Sequence, residues 1–488
     1  MSMFQHDAKQ FKFDVLREVS KRCYDGRLTD NTPDELAHLL VSSNTDRFRC
    51  CIYKEREVIR ERTKISCLKD PKTGQPVSNP KQIVRVIEPA CDGCSIHKIR
   101  ITDNCRKCMA KSCMTSCNFN AISMGSTRAT IDYDKCRECG ACARNCQYNA
   151  IVITERPCSQ KCPVDAIRWD ESHIAVIDES KCINCGQCEK ACPFGAIEDL
   201  SWMVPVIEDI KAGKKVVAMF APSIQGQYDE ATIPQIKASI KMLGFADAVE
   251  VAVGADAVTN YEFEEFVEKQ AQGINLTTSC CPAFLNMARV HFPSVYEKNM
   301  STTVSPMVAL ARYLKKKDPE LKVCFIGPCV AKKQEAQMPG TETDYVLSYQ
   351  ELAAMLVSQQ IYPMDINPEE GPVPTVFARN FAVGSGVTKS VLQMAKEKGY
   401  EQPVKTVYAD GCFECKKNLL LMKVGRLDAQ LLEGMSCPGG CLNGPVVVED
   451  MAIAKKRMMA ENAKEKPQTI TESLKTFDFS EIDMHRKY

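Results

Sequence analysis

The sequence predicts two kinds of structure in one chain: a cysteine-rich α+β portion over residues 91–200 and a larger α/β domain over residues 201–450. Between residues 91 and 200, the phrase Cys-x-x-x-Ala-Ile recurs, which is typical of a small repeated unit. After residue 201, apolar stretches such as 214–222 and 321–328 alternate with amphipathic patterns such as 233–244. Alternating buried strands and amphipathic helices predict a mainly parallel sheet with helices on its faces.

The two ends of the chain carry weaker signals. Residues 1–90 contain four cysteines and a helix pattern that begins near Thr32, so we expect a mainly helical region without a recognisable chemistry. Residues 451–488 are charged and weakly helical, and we expect them to pack on the α/β domain as a tail. A chain of 488 residues is long enough for about three domains.

The bulk composition argues against several classes of protein. The formal net charge at pH 7 is +1, which gives no basis for binding nucleic acid or an anionic membrane surface. The N-terminal residues are charged throughout and lack the apolar core of a signal peptide, and the longer apolar runs are too short to span a bilayer. We therefore expect a cytoplasmic protein with no nucleic-acid or membrane partner.

Cysteine is the unusual component, with 28 residues. In a chain without an export signal, Cys-x-x-Cys spacing favours metal binding over a disulfide framework. Two runs have the spacing C-x2-C-x2-C-x3-C of bacterial ferredoxins, in which thiolates on tight turns hold 4Fe–4S cubes. These runs are Cys136, Cys139, Cys142 and Cys146, followed by Cys182, Cys185, Cys188 and Cys192.

Other cysteines extend this pattern to four cubes. A variant run is formed by Cys105, Cys108, Cys113 and Cys117, and a split run by Cys91, Cys94, Cys158 and Cys162. The fourth cysteine of a run ligates the neighbouring cube in two-cluster ferredoxins. We therefore predict four groups: Cys105, Cys108, Cys113 with Cys146; Cys136, Cys139, Cys142 with Cys117; Cys182, Cys185, Cys188 with Cys162; and Cys91, Cys94, Cys158 with Cys192. Direct pairing of the 136–146 and 182–192 runs is an alternative, as is zinc at Cys91 and Cys94 with His97.

A further set of four cysteines lies in three separate loops. Residues 277–284 read TTSCCPAF and contain the adjacent Cys280 and Cys281. Cys329 lies in PCVAKKQE, and Cys437 and Cys441 lie in CPGGC. Adjacent side chains point in different directions, so we expect Cys280 and Cys281 to have different functions. Cysteines gathered from scattered loops of an α/β domain indicate an active site.

These three motifs, in this order, resemble the signature loops of the FeFe-hydrogenases, and the resemblance extends from residue 130 to residue 450. The cysteine-rich front is most similar to the group B, ferredoxin-linked clostridial enzymes. The resemblance implies an α/β hydrogenase domain of two sheet-and-helix lobes around an H-cluster, preceded by α+β ferredoxin-like iron–sulfur domains. It also implies that a 4Fe–4S cube is held by Cys281, Cys329, Cys437 and Cys441, the last of which bridges to a two-iron centre with CO, cyanide and azadithiolate ligands.

Further roles are implied by the same resemblance. Cys280 matches the cysteine that exchanges protons with the bridging amine, and a thiol of tuned pKa suits that task. Lys332 matches the lysine that donates to a cyanide ligand. Residues matching the other cyanide and bridging-CO contacts are Pro222, Ser223 and Met435.

The family's proton relay continues from this cysteine through a glutamate, a serine, a second glutamate and an arginine. The segment YEFEEFVEKQ at 261–270 matches the helix that carries the glutamates, and we assign Glu265, Glu268 and Ser301 to the relay. Glu265 and Glu268 are about one turn apart and therefore share a helix face. A solvated acidic face is the alternative interpretation.

The chain also departs from the better-known family members. Gly327 stands where they have methionine, Phe284 where tryptophan is common, and residues 443–447 replace a glycine-rich continuation. These changes affect the surroundings of the cluster and hence the preferred direction of catalysis. Cys412 and Cys415 have no counterpart in the family pattern, and a redox pair, a metal clip and plain loop residues are all compatible with their spacing.

The sequence thus predicts an iron hydrogenase that interconverts protons and H2 and exchanges electrons with ferredoxin through about four accessory 4Fe–4S clusters. The family implies maturation proteins as further partners, because separate proteins build its two-iron centre. A non-catalytic iron–sulfur assembly or carrier protein and an H2 sensor are the alternatives. The presence of both Cys280 and Lys332 favours the enzyme, and no pattern of a signalling domain supports the sensor.

Overall fold

The computed structural model describes residues 7–42, 49, 51–77, 80, 82–371, 373–466 and 468–487. Cys50, one of the four cysteines before residue 90, lies outside these ranges. Within them, no helix combines the length and the hydropathy needed to span a bilayer.

The N-terminal region is mainly helical. Its elements are α1 Asp7–Tyr24, α2 Thr32–Leu40, α3 Ile52–Ser66, strand β1 Val84–Val86 and a 3-10 turn Glu88–Ala90. Helix α2 begins at Thr32 with Pro33 in its first turn, where the missing N–H of proline needs no partner.

The cysteine-rich region consists of short strands and helices of one turn. The strands are β2 Ile99–Ile101, β3 Ile122–Met124, β4 Ala129–Ile131, β5 Ile151–Ile153, β6 Ile167–Trp169, β7 Ala175–Ile177 and β8 Ile197–Asp199. The helices are α4 Ser112–Thr115, α5 Ala141–Arg144, α6 Pro157–Gln160 and α7 Gln187–Ala191. The strands pair antiparallel, β1 with β8, β2 with β5, β3 with β4 and β6 with β7.

This pairing shows that one small unit is inserted into another. Strands β2 and β5 enclose β3 and β4 in an inner unit, whereas β1 and β8 flank that unit in the chain and belong with β6 and β7. The insertion explains why the run of Cys91 and Cys94 is completed only at Cys158 and Cys162. Because β1 precedes residue 90 and pairs with β8, the N-terminal and cysteine-rich regions are continuous rather than separated at that residue.

Residues 201–450 form two parallel sheets, as expected for an α/β domain of two lobes. The strands are β9 Val216–Phe220, β10 Asp247–Glu250, β11 Leu276–Thr277, β12 Lys322–Gly327, β13 Tyr345–Ser348, β14 Thr406–Asp410 and β15 Leu431–Met435. One sheet has the order β10-β9-β12-β13 and the other the order β11-β15-β14. The strands predicted at 214–222 and 321–328 are β9 and β12.

Helices cover both sheets, and the helix predicted at 233–244 is the second of them. Their bounds are α8 Met203–Lys211, α9 Ile233–Met242, α10 Ala252–Ala271, α11 Pro282–His291, α12 Pro293–Asn299, α13 Pro306–Lys317, α14 Ala331–Glu335, α15 Tyr349–Ser358, α16 Val376–Arg379, α17 Gly386–Glu397 and α18 Cys412–Lys423. Shorter 3-10 turns lie at Pro222–Ile224, Pro363–Asp365, Asn380–Ala382 and Cys441–Asn443.

Both ends of the chain pack on this domain. Val15 and Leu16 of α1 are buried in the same apolar core as the first sheet, and α1 packs on α8 and α15. The C-terminal segment contains α19 Met451–Asn462 and α20 Ile470–Thr476. After them, Phe479 and Met484 are buried in the core that contains α10 and α13.

Candidate active site

The three cysteine loops meet in one apolar cavity at the carboxyl ends of strands from both sheets. Cys281 caps the N-terminus of α11, Cys329 follows β12, and Cys437 and Cys441 follow β15. All four side chains line the cavity together with Cys280. The carboxyl ends of parallel strands are where α/β proteins commonly build their sites, because the loops there converge.

The chemistry of the four loop cysteines other than Cys280 fits a 4Fe–4S cube. Burial raises the pKa of Cys329 to about 12, and the neighbouring Cys281 adds to the increase. Burial likewise raises the pKa of Cys437 and Cys441 well above the ordinary thiol value, with further contributions from the other cysteines of the group. Thiolates that are desolvated and repel one another are compensated by bound cations, and soft sulfur ligands select iron–sulfur clusters.

In the described part of the chain, no three Cys, His, Asp or Glu side chains form a group that could hold a single metal ion. The turn that presents Cys441 depends on Gly440, whose φ is +96° and where a Cβ would lie 2.5 Å from the carbonyl oxygen of Ala382.

Cys280 lines the same cavity and directly precedes Cys281 in the chain. Burial raises its pKa well above the ordinary thiol value, and the nearby Glu262 and Cys281 raise it further. Burial favours the protonated thiol, as it does for the other cysteines of the cavity in the absence of bound metal.

Lys332 reaches the cavity from α14 and is 8% exposed. Its Nζ donates to Ser305 Oγ at 2.8 Å and to Glu335 Oε2 at 2.6 Å. Pairing with Glu335 offsets the desolvation of the buried amino group, and its N–H donors suit an anionic ligand in the cavity. The other predicted contacts of a two-iron centre also line this space: Pro222, Ser223 and Met435.

Packing explains two of the departures in sequence. A Cβ at Gly327 would lie 2.4 Å from the ring of Phe325, which lines the cavity and occupies the space of a larger side chain at 327. The buried ring of Phe284 lies against Gly434, where a Cβ would be 2.4 Å away. Each glycine therefore leaves room for a neighbouring phenylalanine ring, which fills the space that a larger side chain would occupy.

The predicted relay residues Glu265, Glu268 and Ser301 differ in burial and in their contacts. Glu268 is exposed, whereas Glu262 is 0% exposed and accepts a hydrogen bond from the backbone N–H of Ser279 at 3.3 Å. Ser301 donates to Glu265 Oε2 at 2.7 Å. Glu268 therefore does not lie on the buried face of α10, and Glu262 with Glu265 is a second candidate pair for a proton path. A step of three residues along an α-helix falls about 60° short of a full turn. Two such steps lead from Glu262 to Glu268, so Glu268 no longer lies on the buried face.

Glu262 is a protonated carboxyl between the cavity and Ser301. Burial raises its pKa to about 8, Glu265 adds to the increase, and the Ser279 N–H and the Ser301 hydroxyl reduce it. Its Oε2 has no hydrogen-bond partner among the described residues. In its ionised form Glu262 raises the pKa of Cys280, so the two groups are close enough to interact electrostatically.

The sequence contains a signal for Glu262 that the pattern analysis missed. The buried stripe of α10 includes Ala255, Thr259 and Phe266, and residue 262 continues it at helical spacing. An acidic residue on a buried helix face is expensive to bury, and such residues concentrate at functional sites. The same helix also buries Asp256, which is bonded to Thr375 and Ser473.

The accessory cysteines are brought into four groups. Their sulfurs either raise one another's pKa or line a common apolar pocket. The groups are Cys105, Cys108, Cys113 and Cys146; Cys117, Cys136, Cys139 and Cys142; Cys162, Cys182, Cys185 and Cys188; and Cys91, Cys94, Cys158 and Cys192. The run spacing predicts the same groups, and direct pairing of the 136–146 and 182–192 runs does not occur in the structure.

The repeated sequence Cys-x-x-x-Ala-Ile forms a turn in which a backbone N–H donates a hydrogen bond to the cysteine sulfur. The alanine N–H donates to the cysteine four residues earlier, at 3.4 Å from Ala121, 3.3 Å from Ala150 and Ala166 and 3.4 Å from Ala196. The residue before each alanine has a positive φ and is asparagine, aspartate or glycine, the types that adopt this conformation most easily. Hydrogen bonds to sulfur stabilise a ligated thiolate.

The structure does not place His97 with Cys91 and Cys94, as the alternative of a zinc site would require. The ring of His97 stacks on Tyr133 with 3.6 Å between centroids, and its Nδ1 lies 3.8 Å from Glu138. Cys91 and Cys94 instead interact with Cys192 and Cys158 of the outer unit.

One accessory group touches the active site directly. Gln187, between Cys185 and Cys188 in the chain, places Nε2 3.8 Å from the sulfur of Cys437. Cys412 at the start of α18 donates to Ser436 O at 3.2 Å, and its proximity to Cys185 lowers the pKa of that thiol. Cys415 donates to a different carbonyl, that of Ala409, at 3.6 Å. Cys412 therefore lies between the two cysteine groups, whereas Cys415 does not line the cavity.

Comparison with known proteins agrees with this arrangement. The model of the iron-only hydrogenase large subunit, C-terminal domain, matches residues 214–445, and that of the 4Fe-4S binding domain matches residues 129–152 and 175–198. The periplasmic Fe hydrogenase large subunit of Nitratidesulfovibrio vulgaris is 31% identical over 368 residues, which are 62% of this chain and 87% of that protein. Iron hydrogenase 1 of Clostridium pasteurianum is 26% identical over 65% of this chain and 64% of its own length.

Solved structures give weaker matches. The FeFe-hydrogenase HydA(ΔEFG) is 19% identical, with a TM-score of 0.49, covering 57% of this chain and 94% of that chain. The apo FeFe-hydrogenase HydA1 from Chlamydomonas reinhardtii is 20% identical, with a TM-score of 0.47, covering 55% of this chain and 89% of that chain.

The cysteine loops, the parallel sheets that converge on them and the relatives together define a class, the iron-only hydrogenases. The chain belongs to this FeFe-hydrogenase family. Its cysteine-rich front consists of ferredoxin-like iron–sulfur units.

Proposed function

We propose that this chain is an FeFe-hydrogenase that interconverts two protons, two electrons and H2, with electrons exchanged with ferredoxin through four accessory 4Fe–4S clusters. The observation that carries this proposal is the single cavity in which four cysteines from three distant loops meet Cys280 and Lys332. A cluster ligand set alone would serve an electron carrier. A proton-donating thiol and a buried lysine in the same cavity serve catalysis.

The chain supplies binding, orientation and proton movement. Cys281, Cys329, Cys437 and Cys441 would hold the cube of the H-cluster, and Cys441 would bridge to its two-iron centre. When bound, the H-cluster supplies the metal centre at which protons and electrons combine. Lys332 would orient a cyanide ligand, and its pairing with Glu335 fixes its position.

Proton delivery uses groups that are already aligned. Cys280 holds a proton at the cavity wall, and Glu262 is protonated at neutral pH because its pKa is raised to about 8. Ser301 and Glu265 continue the path away from the cavity through a hydrogen bond of 2.7 Å. Groups held in place avoid the reorganisation of water that free diffusion would require.

Electron delivery uses the accessory groups. Gln187 connects the group of Cys162, Cys182, Cys185 and Cys188 to Cys437 of the active site. At the other end, Cys139 is exposed, which supports electron entry from a soluble carrier such as ferredoxin at the inner unit.

The first experiment loads the chain anaerobically with the synthetic two-iron cofactor and records the infrared bands of CO and cyanide. H2 evolution from reduced viologen is then compared between wild type, Cys280→Ala and Cys415→Ala. We expect sharp bands in all three and activity lost only in Cys280→Ala. Cys415→Ala is the matched control, because its thiol is buried yet does not line the cavity.

An absence of CO and cyanide bands would instead support a non-catalytic iron–sulfur carrier or assembly protein. The maturation proteins, the group B placement and the cytoplasmic location stay predictions. One relative is named as periplasmic, so family membership does not decide the compartment.

A further inference from the structure

The last residues of the described chain pair with the segment that carries the relay. The backbone N–H of Val304 donates to Met484 O at 2.8 Å, and that of Arg486 donates to Thr302 O at 2.8 Å. Thr303 and His485 form an antiparallel bridge between them. The C-terminal segment thus pairs with residues 302–304, which directly follow Ser301.

Glu265 is joined to this edge through Thr302. The Thr302 backbone N–H donates to both carboxylate oxygens of Glu265, at 2.9 and 3.0 Å, and its Oγ1 donates to Oε1 at 3.1 Å. His485 Nδ1 lies 3.4 Å from the same Thr302 Oγ1. Because the hydroxyl proton is given to the carboxylate, the hydroxyl oxygen is left to accept from the Nδ1–H of His485.

We propose that His485, on the C-terminal segment, is the proton-transfer residue at the outer end of the relay, an inference that rests on the proposed hydrogenase function. For H2 evolution, Nε2 of the exposed ring takes a proton from water, and Nδ1–H passes its proton to Thr302 Oγ1. The hydroxyl proton of Thr302 moves to Glu265, and the path continues through Ser301 and Glu262 to Cys280. H2 oxidation moves protons along the same bonds in the reverse direction.

Asp483 and Arg312 hold the backbone of His485 in place, and its ring is exposed to solvent. The backbone N–H of His485 donates to Asp483 Oδ1 at 3.0 Å, and Arg312 donates to the His485 carbonyl oxygen at 3.0 Å. Asp483 is itself paired with Lys487 at 2.6 Å.

Two more charged groups lie near His485. The guanidinium of the adjacent Arg486 lies over the ring of Tyr296 at 5.4 Å, and Glu265 is connected to the imidazole through Thr302. An imidazole is the side chain whose protonation changes most readily between about pH 5 and 8, and both ring nitrogens take part in transfer.

The first test follows proton exchange without measuring H2. Glu262 is protonated at neutral pH, so its carboxyl C=O band is visible in the infrared and shifts when the proton is replaced by deuterium. Glu262→Gln identifies the band by its loss. After rapid mixing into D2O, we expect exchange of this carboxyl to slow by about tenfold in His485→Gln, because glutamine donates to Thr302 but does not relay a proton.

His38→Gln is the matched control, since His38 is exposed on α2 and lies outside the relay. Exchange in His485→Gln as fast as in His38→Gln would overturn the proposal. In His485→Gly, added imidazole should restore the exchange rate; slow exchange that imidazole does not restore would assign the effect to a displaced C-terminal segment and also overturn it.

The second test uses the enzyme loaded with its two-iron centre. H2 evolution at pH 8 in dilute buffer should fall in His485→Gln, while the KM for reduced viologen and the CO and cyanide bands stay unchanged. A wild-type chain that evolves no H2 would refute the hydrogenase function, and the exchange measurement would still decide whether His485 feeds Glu262.

Discussion

At the scale of single residues, the most informative side chain is Glu262. It lies on a face of α10 that is otherwise apolar or small, and no cation compensates its burial in the described surroundings. Desolvation therefore keeps it protonated. The same physics raises the pKa of Cys280, and the two acids are close enough to influence each other electrostatically.

Replacing Glu262 should stop proton delivery. We expect Glu262→Gln to lower H2 evolution by at least about 10²-fold, the smaller end of the range for positioned acid–base groups, because the amide does not pass on a proton. The measurement is viologen-driven H2 evolution of the loaded enzyme. Glu268→Gln is the control and should keep wild-type activity, since Glu268 is exposed; equal losses in the two variants would argue against the revised relay.

Glu262 should also affect stability in a pH-dependent way. A carboxyl whose pKa is raised from 4.5 to about 8 binds more protons in the folded than in the unfolded state between these values. The free energy of unfolding therefore falls as pH rises from about 4.5 to 8. Anaerobic thermal unfolding should show a smaller loss of melting temperature over this window in Glu262→Gln than in wild type, whereas Glu268→Gln should follow wild type.

At the scale of elements, two adjacent lysines of α14 point to different places: Lys332 to the cavity and Lys333 to a buried ion network. Lys332 turns to the cavity, while Lys333 is 1% exposed and turns to the other side. Nζ of Lys333 lies 2.5 Å from Asp199 in β8, 2.7 Å from Leu200 O and 3.0 Å from Glu351 in α15. Asp199 also pairs with Lys12 of α1 at 2.7 Å, so one buried ion network connects the N-terminal helix, the cysteine-rich region and the first sheet.

Removing Lys333 should therefore destabilise the whole chain. Lys333→Met leaves two buried carboxylates with less compensation, and we expect a loss of about 3–5 kcal/mol in the free energy of unfolding. Lys316→Met breaks the exposed pair with Glu481 and should cost no more than about 1 kcal/mol. Anaerobic urea unfolding compares the two variants; similar losses in both would contradict the network's contribution.

At the scale of the whole molecule, one ferredoxin-like unit is inserted into another, and in the proposed function this arrangement sets the path of electrons. The outer unit is built from residues on either side of the inner one, and its group of Cys162, Cys182, Cys185 and Cys188 lies next to the active site. The N-terminal helix packs on the catalytic sheet and on the outer unit's strand through Lys12. This packing holds the last accessory group at a fixed distance from the cavity.

The cluster assignment predicts the iron content of the reconstituted protein. Five cubes should give about 20 iron atoms per chain before the two-iron centre is added. Cys158→Ser should lower this number by about four and remove one cubane signal from the electron paramagnetic resonance spectrum. Cys415→Ser, a buried cysteine outside the groups, should leave both unchanged; an unaltered iron content in Cys158→Ser would contradict the split group.

Local sequence determined those parts of this protein that depend on short-range geometry. The cysteine runs, the donor turn ending in Ala-Ile and the strands β9 and β12 each follow from a few consecutive residues. Spacing within a run fixes which thiolates face one cube, and alternation of apolar and amphipathic stretches fixes the sheet class. The loop motifs also sufficed to place Cys281, Cys329, Cys437 and Cys441 in one group.

Only the tertiary structure decided which faces and segments meet. Glu262 rather than Glu268 lies inward because burial of a helix face depends on what packs against it. The inserted unit and the pairing of β1 with β8 join residues more than a hundred positions apart. The contact of His485 with Thr302 likewise depends on the C-terminal segment returning to the relay. Such long-range contacts arise from the total burial of the folded chain, which no short stretch of sequence encodes.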